Sequence, residues 1–64
     1  MNFIEVTDRN DRKAMINIDL VTSIEIDIHN NNSVFLTFPS ESYFYIKESY
    51  DELKEIIKEC TNGN

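Results

Sequence analysis

Glycine, proline, cysteine and histidine each occur once in this chain of 64 residues, and tryptophan does not occur. Each scarcity excludes a chemistry. With Gly63 as the only glycine, there is no Gly-rich loop to cradle phosphates. With Cys60 as the only cysteine, no disulfide framework forms within the chain. His29 lies far from Cys60 in sequence, so no zinc-ligand spacing exists and no metal or cofactor is expected. The serines, at positions 23, 33, 40, 42 and 49, lack the strained elbow motif of a hydrolase.

Positive charge is also scarce. Six basic residues stand against twelve acidic ones, for a formal net charge of −6. Nucleic-acid affinity comes largely from clustered Lys and Arg, so no nucleic-acid partner is expected. No apolar run approaches the ~20 residues that span a bilayer, so no membrane association is expected either. Met1–Val6 has no basic start, apolar stretch or cleavage site, so it does not read as a signal peptide. With the lone cysteine, this points to a cytoplasmic setting.

What is present is a clear hydrophobic pattern. Ile4 and Val6, then Ala14, Ile16 and Ile18, then Ile24, Ile26 and Ile28, then Val34, Leu36 and Phe38, then Phe44 and Ile46 each alternate with residues of the opposite face. Period-two runs rich in β-branched and aromatic residues predict strands with one face inward. The connections are short: Asp8–Arg12, the corner Asp19–Val21, the Asn-rich turn Asn30–Ser33, and Pro39–Ser42. Such connections favour antiparallel neighbours, because parallel strands need long crossovers. After Ser49 the period changes. Tyr50, Leu53, Ile56, Ile57 and Cys60 recur at helical spacing. Ser49 and Glu52 fit the capping box that opens a helix. The expected fold is therefore α+β: a five-strand antiparallel β-meander followed by a C-terminal α-helix on one sheet face. Residues 1–60 make one domain, with a frayed polar tail at 61–64.

No candidate group converges into a catalytic site. His29 reads as a solvated turn residue, since no nucleophile is near it. Cys60 falls on the apolar helix stripe and reads as a core residue. Glu25 and Asp27, two apart on one strand face, read as a solvated pair. If the inward residues face the helix, then Phe35, Tyr43 and Tyr45 face away, together with Phe3 and Met15. Contiguous exposed aromatics of this kind match interface composition. These five residues are the expected interface of a non-catalytic protein-interaction module, most simply a homodimer. The other reading is a small acidic regulator or inhibitor, of phage or mobile-element type, that binds a basic partner surface.

Three segments resemble a known family. Asn17–Glu25 is similar to the N-x-D-L-I-x-x-I-E segment of the small FlbD-like proteins encoded with flagellar genes, and Val34–Thr37 to their V-x-L-T strand. Ile46–Leu53 is similar to their V-x-E-S-x-D-E-V helix start, whereas Pro39–Ser42 stands where the family has a Gly-Lys turn. The resemblance implies a small accessory protein and carries no catalytic residues.

Overall fold

The computed structural model describes residues 2–62, and side chains as far as Cys60. The residues beyond Asn62, which belong to the expected tail, lie outside the described residues. Among the described residues, five strands precede one helix: β1 (Phe3–Thr7), β2 (Lys13–Asn17), β3 (Ser23–Asp27), β4 (Ser33–Thr37), β5 (Tyr43–Ile46) and α1 (Tyr50–Asn62). The α+β class and the antiparallel pairing are as the sequence predicts. The single five-strand meander is not. The strands form two sheets, β1-β2 and β3-β4-β5.

The division falls at the β2–β3 corner, where a hairpin is replaced by a 3₁₀ turn at Ile18–Leu20. The Asn17 side chain opens that turn by accepting the Asp19 N–H at 3.1 Å. The Ile18 N–H is spent on the Asn2 carbonyl at 2.8 Å, which ties the corner back to β1 rather than forward to β3. No ladder joins β2 to β3. The two sheets meet instead through β1 and β5. Asp8 bridges Ile46, and the Lys47 N–H donates to the Thr7 carbonyl at 2.8 Å. The Thr7 N–H donates to both oxygens of the Glu48 carboxylate, at 2.9 and 3.0 Å. Glu48 thus takes the place of a strand carbonyl where the ladder runs out.

With one glycine in the chain, the turns take positive φ on other residues: Asp11, Asn31, Asn32 and Glu41. Asn and Asp tolerate this region better than other side chains, and Glu41, at φ 63°, donates its N–H to the Phe38 carbonyl at 2.9 Å. The helix opens on the expected capping box. Ser49 Oγ accepts the Glu52 N–H at 3.1 Å, and Glu52 Oε1 accepts the Ser49 N–H at 2.8 Å.

The core lies between the two sheets and the helix. Ile4 and Val6 of β1, Val34 and Leu36 of β4, Ile46 of β5 and Leu53 of α1 are buried together, ringed by partly buried residues that include Ile24, Phe44, Ile56, Ile57 and Cys60. The alternation read from the sequence gives the correct inward face in every strand, but the core does not cover that face along the end of β3 and beyond it. Ile26 is 44% and Ile28 73% exposed, because β3 is the outermost strand and the core cluster reaches only its first half, at Ile24.

Two consequences are measurable in denaturant melts. Leu36→Ala empties a fully buried position and should cost about 2–5 kcal/mol, while Ile28→Ala should be nearly silent. Equal costs would contradict the placement of the core. Glu48→Ala strands the half-buried Thr7 N–H and should cost about 1–3 kcal/mol, where an ordinary surface glutamate costs almost nothing.

Candidate functional site

The outer face of the three-stranded sheet, opposite the core, holds the most organised group of side chains. Strand register sets it out as a grid. Thr37 lies between Ser23 and Tyr43, Phe35 between Glu25 and Tyr45, and Ser33 opposite Asp27. Period-two alternation forces this arrangement, since Val34, Leu36, Phe44 and Ile46 take the other face.

The three rings form one cluster. Phe35 meets Tyr43 edge-on, with centroids 5.7 Å apart and planes at 85°. It meets Tyr45 at 5.2 Å with a 34° tilt. Both separations lie in the favourable range for aromatic pairs. Tyr43 is 68% exposed, and Phe35 and Tyr45 are half-buried.

Charge is divided across this face. On the β3 side, Asp27 Oδ2 accepts the Tyr45 hydroxyl at 2.9 Å and Asp27 Oδ1 accepts the His29 N–H at 3.1 Å. Glu25 accepts the Ser23 hydroxyl at 2.8 Å. On the β5 side, the Arg9 guanidinium stands 4.2 Å from the centroid of the Tyr45 ring, a cation–π contact. Arg9 forms no ion pair among the described residues. The hydrogen bond to Asp27 holds the Tyr45 phenol above its usual pKa; desolvation and the Asp27 charge act the same way, and Arg9 opposes them.

Of the five residues expected to form one patch, the structure gathers Phe35, Tyr43 and Tyr45. Phe3 and Met15 lie on the other sheet, exposed and diagonal to each other on β1 and β2, with Phe3 opposite Asn17 and Met15 opposite Glu5. Arg9 escaped the sequence reading because its place over Tyr45 depends on a loop conformation with no periodic signal. Asp27 was singled out, but its bond to Tyr45 crosses β4 and is visible only with the strand order in hand. His29 is exposed at the end of β3, and the thiol of half-buried Cys60 reaches the Phe3 carbonyl at 3.7 Å. Among the described residues, no three His, Cys, Asp or Glu side chains are placed to hold a metal, and no helix is long and apolar enough to cross a membrane.

Comparison with family models, curated proteins and solved structures gave no match. The likeness to FlbD-like proteins therefore rests on its three segments alone.

The Tyr45–Asp27 bond has a spectroscopic consequence. A raised phenol pKa means the bond contributes stability in full below the ordinary tyrosine value. That contribution is lost as pH rises through the folded value. In an ultraviolet pH titration, one tyrosine should ionise later than the others. Asp27→Asn should bring that late step down. A late step unchanged by this substitution would show that Asp27 is not its cause.

Proposed function

We propose that this chain is a non-catalytic protein-interaction module that docks through the outer face of its three-stranded sheet, with a second copy of itself as the partner. The observation that carries this reading is the contiguous Tyr43–Phe35–Tyr45 cluster on a sheet face turned away from the core. Tyr and Phe supply large contact area at low conformational cost, and interface cores are enriched in them. Covering each 100 Å² of ring surface gains about 2.5 kcal/mol before the costs of association.

The division of charge favours a self-pair of one geometry. A two-fold axis parallel to the strands and passing by β4 sets the β3 side of one copy against the β5 side of the other. Glu25 and Asp27 then oppose Arg9 in both halves of the contact. A two-fold axis across the strands would set β3 on β3 and oppose like charges, which is unfavourable. The first geometry offsets part of the repulsion between two chains of net charge −6. The resemblance to small accessory proteins agrees with a role in assembly rather than catalysis.

Light scattering on a size-exclusion column tests the pair, whose mass is twice 7.5 kDa. Phe35→Glu should give monomers with the sheet signal retained in circular dichroism. Arg9→Glu should weaken the pair, and Arg9→Glu combined with Glu25→Arg should restore it. A wild-type chain that stays monomeric at high concentration, or a charge swap without rescue, would overturn this arrangement.

A further inference from the structure

A second surface adjoins the ring cluster and adds to it the free backbone edge of β3. β3 ends the three-stranded sheet, and no strand pairs with its outer edge among the described residues. An edge strand presents a row of unpaired N–H and C=O groups that templates another strand. Natural edges are commonly blunted by proline, by charged side chains, lysine above all, or by a covering element. The segment Ser23–Asp27 has no proline or lysine, its charges are carboxylates that repel a second acidic strand and admit a basic one, and the core stops short of its second half. The other free edge, on β2, begins at the exposed Lys13.

The side chains flanking the β3 edge specify what fits it. A shallow groove of about 430 Å³ runs from the Phe35, Tyr43 and Tyr45 rings to this edge. Glu25 and Asp27 line it from the ring face, Ile26 belongs to the opposite face, and Ile28 follows just past the end of the strand. An added strand alternates its side chains between the two faces. On one face it meets two carboxylates, on the other the exposed Ile26, with the exposed Ile28 just beyond.

A second β3 does not satisfy this pattern. Two copies paired antiparallel along the strand have two registers that use most of its length. One centres on Glu25 and sets it against its own copy. The other centres on Ile26 and sets Glu25 against Asp27 twice. Like charges directly opposite one another destabilise a ladder.

We propose that the outer edge of β3 takes an extended segment of a partner protein whose side chains alternate between lysine or arginine and an aliphatic residue. The backbone supplies affinity and the alternate side chains supply specificity, as in strand addition generally. Basic residues meet Glu25 and Asp27, and aliphatic residues cover Ile26 and Ile28. The site goes beyond the face-to-face pair and is compatible with it, because a carboxylate has acceptor positions for more than one donor.

The test uses the full chain and a short peptide alternating lysine and valine. A shuffled peptide of the same composition, with its lysines clustered, is the comparison. In fluorescence anisotropy the alternating peptide should bind about tenfold more tightly than the shuffled one, the worth of two or three cross-strand pairs. Hydrogen exchange should slow at amides of β3 and nowhere else. Ile26→Lys should weaken binding by a similar factor, and so should Ile28→Lys at a position too exposed to affect folding. Arg9→Glu, at a residue outside this groove, should leave peptide binding intact while weakening the self-pair, so the two surfaces stand or fall separately. Equal binding of both peptides, no binding of either, or protection on another strand would overturn the proposal.

Discussion

The backbone of Thr7 holds the two sheets together. Its carbonyl accepts from Lys47 and its N–H donates to the Glu48 carboxylate, 41 residues further along the chain. Without these bonds β1-β2, a two-stranded ribbon that is marginal alone in water, is joined to the rest by the Asp8–Ile46 bridge and the shared core only. With them, β1 is held beside β5, and Ile4 and Val6 face Val34, Leu36 and Ile46 across a shared core. The next residue, Ser49, caps α1, so two consecutive polar side chains turn the chain from sheet to helix. Leu53, whose N–H closes the first helical turn on the Ser49 carbonyl, is thereby placed in the core. The angle between the sheets and the docking of the helix thus depend on one short segment, Lys47–Ser49.

Alternation made most of this fold legible in the sequence. Every strand and its inward face follow from the pattern, because a slip of one residue would turn the isoleucines and valines to solvent. The capping box located the helix start to the residue. The sheet division was not legible. Asp19–Val21 reads equally well as a hairpin corner or a 3₁₀ turn, and the choice is made by Asn2, whose carbonyl takes the Ile18 N–H from a distance. Glu48 has no signal in the sequence that sets it apart from the charged residues around it. Its role depends on Thr7 arriving beside it, which no local pattern encodes. The exposure of Ile26 and Ile28 was equally hidden, since alternation reports which face a residue takes but not whether that face is covered.

The candidate surface shows the same boundary. Parity placed Phe35, Tyr43 and Tyr45 on one face, and adjacency of β4 and β5 brought their rings together. Parity also placed Phe3 and Met15 outward, but the broken sheet carries them elsewhere. The charges that give the ring cluster a direction, Arg9 on one side and Glu25 with Asp27 on the other, come from three separate segments. A sheet face bounded in this way has handedness, so two such faces fit in one orientation better than in its alternative.

The 41-residue reach from Thr7 to Glu48 also sets an order of events in synthesis. In a chain made from its N-terminal end, β1 and β2 are complete long before the segment that completes their sheet junction exists. Their apolar sides wait for Ile46 and Leu53, which come last, while β3, β4 and β5 can pair locally as they emerge. Closing so distant a contact is slow relative to forming hairpins. Native structure is therefore completed in a late step, and during the delay the exposed face of the early hairpin is where misassembly with other nascent chains would begin.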